Sequence, residues 1–397
     1  MTDDVAARDP LAALIAFNRA FIGPDRPLTD VRLKLDRLAE TPLGYLRGTF
    51  HAFVADWRPA DDALGDLHPQ PIVGDLHLEN FGAYQTSDGA VVFGINDFDD
   101  AGPGSPGFDL ARLATSLVLA GDPSFKRAIG RVQDLVTGWL AGARNADAPR
   151  PEARVARKLV AKAESTSRSE WLARRVKDVR GERQFLRSVA YRAVEDDSRA
   201  SVIAALGKWA KTCEDRPEGA APWPHALDVA ARTAGTGSLG RHRWAVLVAG
   251  RGGKRGKELL LELKEARSSP LAPSDRRPAA RIVASQQRLQ GTSPKFLGVA
   301  RVGDVPCVVR ELQPTQAKVQ VEKLDVADLD ELASTLGFVT GQAHHRAHPA
   351  LAAALDGRER AVLRRTVALA LHFAEATIAD HTHFVAHRDE VAKALGV

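Results

Sequence analysis

Cysteine is nearly absent from the 397-residue sequence. Cys213 and Cys307 are the only two, too few and too far apart for a disulfide framework or a metal-ligand spacing. A reducing cytoplasm is the expected compartment. No run approaches the roughly 20 apolar residues of a membrane-spanning helix. The opening MTDDVAARDPLAALIAF sets acidic residues before a very short apolar run, the wrong polarity for a secretory leader. Neither sign of charge dominates, since 55 Lys and Arg stand against 50 Asp and Glu. Aromatic residues supply 6% of the chain and do not interleave with the basic ones, which disfavours nucleic acid as a partner. There is no G-x-S-x-G turn and no convincing Cys–His pair to suggest nucleophilic hydrolysis.

What remains is ordinary for a globular protein, with 44% hydrophobic and 26% charged residues. The length predicts two lobes or domains. Basic residues crowd 150–190, either as the solvated face of amphipathic helices or as an anion-attracting surface. Residues 8–58 carry helical spacing in LAALIAFNRAF and VRLKLDRLAE. Residues 70–100 read as a strand, a loop and a β-hairpin turning at Ser87–Asp88–Gly89. Helix is expected again over 109–215, then a Pro- and Gly-rich linker, EDRPEGAAPWPH. Helical DVAARTA follows, then strands RWAVLVAG and ELLLELKEA, helix ARIVASQQRLQ, and two strands in FLGVARVGDVPCVVREL across a Gly–Asp turn. Helix is predicted from about residue 325 onward. The pattern predicts an α+β protein.

Two constellations carry chemistry. In GDLHLEN, Asp75 and Asn80 stand five residues apart in a loop after a strand, and NDFDD follows a hairpin. Phosphoryl transfer asks for a carboxylate to position the attacking hydroxyl and for oxygen ligands to magnesium, and kinase catalytic and metal-binding segments supply them in this order. Asp–Asn pairs in loops also form Asx turns and caps; the paired motifs favour the functional reading. Val73–Asn80 and Asn96–Ala111 resemble the catalytic loop and metal segment of the aminoglycoside phosphotransferase and choline kinase branch of the kinase-like superfamily. The resemblance implies Asp75 as catalytic base, Asn80 and Asp97 as magnesium ligands with Asp99 as an additional one, His77 as a structural loop residue, and Asp109 as a brace. Val73 stands where those families usually carry histidine.

The second constellation is GTGSLG. Its residues Gly235, Thr236, Gly237, Ser238 and Gly240 would cradle phosphates through backbone N–H groups. A strand following the loop, rather than a helix, argues against a dinucleotide fingerprint. The strand LLLELKEA presents Lys264 inside an apolar run, where an anion must accompany it unless its amine snorkels to water. In a kinase this lysine grips the α- and β-phosphates. The helix ARIVASQQRLQ carries no acid to hold it, leaving Gln286, Gln287, Glu265 or Glu262. VPCVVREL is placed like the strand leading to an adenine-binding hinge. HTHFVAH, with His381, His383 and His387, reads as a polar helix face rather than a metal cluster.

In ordinary kinases the glycine loop and lysine precede the catalytic loop; here they follow it. The whole set, together with YLRGTF (45–50) and GQAHHRAH (341–348), resembles the bacterial domain of unknown function 2252. The reading is a circularly permuted, protein-kinase-like bilobal fold with a small antiparallel sheet lobe and a larger helical lobe. Residues 1–225 would supply the catalytic-loop and metal-binding part of the helical lobe, 226–320 the nucleotide-binding sheet lobe, and 321–397 the completing helices. The expected activity is ATP- and Mg2+-dependent phosphorylation of a small-molecule hydroxyl. A protein kinase, a nucleotide-binding regulator and a nucleotidyl transferase are the alternatives. The acceptor pocket is expected from 120–225 and the N-terminal helices.

Overall fold

The computed structural model describes residues 8–21, 28–120, 125–145, 147, 152–216, 223–233, 240–250 and 255–397. Helices α1 (Pro10–Phe21), α2 (Leu28–Glu40), α3 (Pro42–Gly48) and α4 (Phe50–Asp56) open the chain, as the spacing predicts. Thr41 caps α3 by accepting the Gly44 amide at 3.0 Å, with Pro42 beginning the helix where its missing N–H loses no bond. Strands β1 (Gln70–Ile72), β2 (Phe81–Gln85), β3 (Val91–Ile95) and β4 (Gly102–Gly104) follow. Between β2 and β3 the expected turn is present, with Gly89 at φ 96°.

Helices α5 (Pro106–Ala120), α6 (Phe125–Arg144), α7 (Arg154–Ser165) and α8 (Arg168–Ala173) come next. The expectation of helix throughout 109–215 then fails. Strands β5 (Val176–Val179), β6 (Glu182–Phe185) and β7 (Tyr191–Arg192) precede α9 (Asp196–Trp209). Arg180 and Gly181 both take positive φ, 54° and 90°, the geometry of a two-residue hairpin turn matched to strand twist. Basic residues here also turn inward: Arg168 pairs with Glu311, Arg183 with Glu258, and Arg187 and Arg199 with the buried Asp228. Part of the basic segment thus fastens an insertion to the sheet.

The DVAARTA stretch is likewise corrected. Residues Ala226–Arg232 form strand β8, antiparallel to β9 (Arg243–Val248). Short-range helix preference yields to the ladder and to Asp228, whose carboxylate accepts the Phe185 amide at 2.8 Å. Then follow β10 (Leu259–Glu265), α10 (Pro278–Gln290), β11 (Gly298–Val302), β12 (Val305–Glu311) and β13 (Ala317–Lys318). Helices α11 (Val326–Ala347), α12 (Leu351–Ala354), α13 (Glu359–Ala386) and α14 (Arg388–Leu395) end the chain.

The largest sheet has the order β11-β12-β10-β9-β8-β7, with every neighbouring pair antiparallel. Period-two alternation divides its faces. Val246, Val248, Leu261, Leu263 and Val309 face α9 and bury against Val202, Leu206 and Trp209, each contributing about 1.5–3 kcal/mol of burial. On the other face, Ala245, Leu247 and Leu260 pack with Phe185 and Tyr191. Further along that face the residues become Arg243, Glu262 and Lys264, all nearly inaccessible. The face turns charged where it meets the segment 95–101.

Helices α6 and α11 pack at unusually close range through Gly138, Gly142, Gly337 and Gly341. A Cβ on Gly337 would stand 1.9 Å from the Leu135 carbonyl oxygen, and one on Gly341 2.2 Å from that of Trp139. The C-terminal helices also close on the N-terminal ones, where Leu14, Leu35, Leu38 and Tyr45 share a core with Phe384 and Val391.

Candidate active site

Helix α5 holds the 73–80 loop with residues spaced along one face. Asp109, fully buried, accepts the Val73 amide at 2.7 Å and the Gly74 amide at 2.8 Å. One turn on, Arg112 donates to the Asp75 carboxylate, with Nε at 2.9 Å. Ser116 accepts the Leu78 amide at 3.2 Å. Gly74 takes φ 83°, and a Cβ there would meet the Asp100 carbonyl oxygen at 2.4 Å, so both conformation and space call for glycine. His77 and Asn80 form a reciprocal cap, with the His77 amide bonded to Asn80 Oδ1 at 2.8 Å and the Glu79 amide to His77 Nδ1 at 3.2 Å.

Asp109 is itself braced from α11. Trp139 Nε1 donates to His344 Nδ1 at 3.0 Å, which leaves the proton of a neutral imidazole on Nε2, 3.0 Å from Asp109 Oδ2. Gly341, one turn before His344, is among the glycines that let α11 approach α6 closely enough for this contact. Arg47 of the YLRGTF segment pairs with Glu79 at 2.6 Å.

The acidic segment is anchored by Phe98 and Ala101 in the main core, while α10 fixes its backbone. Arg281 donates to the Asp99 carbonyl at 3.2 Å, to the Arg267 carbonyl at 2.8 Å, and also to that of Ala101. Gln290 reaches the Ile95 carbonyl at 2.7 Å. Thus α10 positions the main chain beside Lys264 without contacting the lysine's amine. Lys264 Nζ lies 3.8 Å from Asp97 Oδ1 and forms a closer ion pair with Asp99. Its partners are these aspartates, not Gln286, Gln287, Glu265 or Glu262. Glu262 is taken by Arg232, Arg243 and Arg310 at 2.5, 2.7 and 2.8 Å, and Glu265 accepts the His242 amide and pairs with Arg267.

These charges set the protonation states. Burial raises the Asp97 carboxyl, but Lys264, Lys318, Arg310 and Arg243 together hold it far below the usual carboxylate range. Lys318, placed by the pairing of β13 with β2, stands 3.9 Å from Asp97. Burial raises Asp75 despite Arg112, and Asp97 adds to that rise. Burial pushes Asp100 up to about 7. His77 is held neutral, well below the ordinary histidine range, by burial and by Arg47 and Arg112.

Asp75, Asn80, Asp97, Asp99 and Lys318 line one cleft of about 620 Å3, a size suited to a small ligand. Other walls come from Arg37–Arg47 and from Leu119 and Ala120. Segment 125–216 contributes no lining residue among those described; its helices and strands pack elsewhere. Of the glycine loop, Gly240 is described, with φ 84°; Gly235, Thr236, Gly237 and Ser238 lie outside the described residues. Among the described residues, no group of three or more His, Cys, Asp or Glu is arranged to hold a metal. Asn80 lines the same cleft as Asp97 and Asp99, and its Oδ1 accepts the His77 amide while keeping a second lone pair. His381 Nε2 lies 3.2 Å from the Ala39 carbonyl, while the rings of His383 and His387 meet at 4.4 Å, tilted by 53°.

Sequence reasoning missed Arg112, Arg241, Arg310 and Lys318. Arg112 carried a signal, since it follows Asp109 by one helical turn in an otherwise apolar stretch. Arg310 and Lys318 depend on strand pairings far apart in the chain, and Arg241 on the approach of the end of β9 to the acidic segment.

Fold and cleft define a mixed α+β protein with an acidic segment facing a cationic sheet. Residues 26–129 and 131–387 match the profile of a family described as an uncharacterized protein conserved in bacteria (DUF2252), and the chain belongs to that family. Neither the curated proteins nor the solved structures contain a match to it. No described helix is long and apolar enough to cross a membrane.

Proposed function

We propose that the protein is an ATP- and magnesium-dependent phosphotransferase acting on a small-molecule hydroxyl, built as a circularly permuted kinase-like fold. The observation that carries this reading is the convergence of Lys264 from the sheet on Asp97 and Asp99, with Asp75 lining the same cleft. The donor set fits: two carboxylates and one amide oxygen suit a cation that keeps water and phosphate as its other ligands. Bound magnesium and ATP would supply the transferable phosphoryl group and charge neutralisation.

The chain's own residues divide the remaining work. Asp97, Asp99 and Asn80 would hold the cation. Lys264, flanked by Arg310 and Lys318, would address phosphate oxygens. Asp75, oriented by Arg112 and shifted toward higher pKa by burial, would accept the proton of the acceptor hydroxyl. The loop at 235–240, joining two antiparallel strands, would cover the phosphates. In this reading 226–320 is the sheet lobe, and 1–225 with 321–397 the helical lobe divided by the permutation.

Titration calorimetry with ATP and Mg2+, followed by mass spectrometry of the products formed from a metabolite extract, tests the proposal. Metal-dependent binding with ADP and a phosphorylated acceptor is expected. AMP transfer to the acceptor would establish nucleotidyl transfer instead, and no nucleotide binding would overturn the proposal.

A further inference from the structure

Arg241 was not part of the sequence motif, yet it too pairs with the acidic segment. Its side chain is 7% exposed, and Nη1 donates to Asp99 Oδ2 at 3.0 Å. Asp99 therefore carries two cationic partners, Arg241 and Lys264. A divalent cation arriving at this carboxylate would meet both positive charges at close range, and that repulsion opposes its binding.

The two cations differ in their freedom to leave. Lys264 is flanked on both sides by ladder partners, Arg243 on β9 and Val308 on β12. Beyond Asp99, Lys264 faces Asp97, and Arg241 also feels the charges of Asp100 and Asp97, so what separates the two cations is the backbone that carries each. Arg241 lies beyond the last paired residue of β9, between Gly240 and His242, whose amide and carbonyl are the final links to Glu265. Its backbone is outside the ladder, and its side chain lines the cleft.

We propose that Arg241 is an exchangeable counter-ion: it neutralises Asp99 in the unliganded protein and transfers to an anionic phosphate oxygen of the nucleotide, releasing Asp99 to the divalent cation. This rests on the phosphotransferase reading and makes Arg241 a positioning residue that couples the two ligands. Nucleotide offers Arg241 a replacement anion, so each ligand strengthens binding of the other.

The test uses Mn2+ alone, ADP alone in the presence of chelator, and both together, measured by calorimetry on the full chain. Arg241→Gln is expected to bind Mn2+ about three- to tenfold more tightly than the wild type, because a competing charge is gone. It is expected to bind metal-free ADP about tenfold more weakly and to lose the mutual enhancement. Arg241→Lys keeps the charge and should hold Mn2+ affinity within about twofold of wild type; this also reports whether the site tolerates substitution. A merely structural role would weaken both ligands together. Unchanged or weaker Mn2+ binding by the Gln variant, with wild-type binding of both ligands intact, overturns this inference alone. A wild type that binds neither Mn2+ nor ADP overturns the phosphotransferase reading with it.

Discussion

Lys264 Nζ stands 3.8 Å from Asp97 Oδ1, joining the middle strand region of the large sheet to the segment after the β2–β3 hairpin. The lysine is 4% exposed, so its charge must be compensated inside the protein. Both aspartates that compensate it face the cleft. One ion-pair cluster thus holds two distant parts of the chain together and concentrates charge at the cleft.

Asp97→Asn and Asp75→Asn should separate binding from chemistry. Asp97→Asn removes a carboxylate that Lys264, Lys318, Arg310 and Arg243 hold as an anion and should weaken Mg2+-dependent ATP binding by more than about tenfold. Asp75→Asn should retain that binding while lowering turnover by about 10²–10⁴, the usual range for a positioned general base. Calorimetry and single-turnover assays read the two effects. Equal loss of binding in both variants would refute the assigned roles.

Replacing Asp109 by Asn tests the brace. The carboxylate accepts the Val73 and Gly74 amides and the His344 ring N–H, whereas an amide sets a donor against one of those donors. A stability loss of about 2–4 kcal/mol is expected for the buried mismatch. Urea unfolding measures it, and a loss below about 0.5 kcal/mol would show that the loop is held by other contacts.

Two glycine substitutions should act in opposite directions. Gly337→Ala places a methyl 1.9 Å from the Leu135 carbonyl and should destabilise the α6–α11 contact by about 1–3 kcal/mol or more. Gly207→Ala, on α9 with nothing within 4 Å of the added methyl, should stabilise by about 0.5–1 kcal/mol. Equal unfolding midpoints for these variants would contradict the close helix packing.

Acid sensitivity should depend on His51. Its ring stacks on Phe17 at 4.0 Å, and both ring nitrogens are buried without a hydrogen-bond partner among the described residues. Burial, reinforced by Lys34, Arg8 and Arg112, lowers its pKa to about 3. The unfolded chain therefore binds a proton that the native protein refuses between about pH 6.5 and 3, and stability falls as pH drops through that window. His51→Phe keeps the stack and removes this proton uptake. Its stability relative to wild type should rise by about 3 kcal/mol between pH 7.5 and pH 4, read from denaturant midpoints. A pH-independent difference would rule out His51 as the titrating group.

The large sheet was legible where alternation is strong: RWAVLVAG, ELLLELKEA and the pair turning at Gly303–Asp304 all form strands. DVAARTA was not, because its alanines and arginine favour helix locally, while a long-range ladder and the burial of Asp228 make it a strand. The same holds for Val176–Phe185, whose hairpin depends on a positive φ at Arg180 that composition does not advertise.

By itself, the sequence determined the α+β class, the spacing of Asp75, Asn80, Asp97 and Asp99, and the placing of Lys264 within an apolar strand. These are local patterns, set by helix and strand periods and by turn chemistry. Only the tertiary structure decided that Lys264 pairs with Asp97 and Asp99, that Arg241 shares Asp99, and that Trp139 and His344 brace Asp109. A buried charge takes its partner from whatever opposite charge the packed backbone brings within reach. That choice depends on strand register and on glycines that let helices touch, neither of which a single segment encodes.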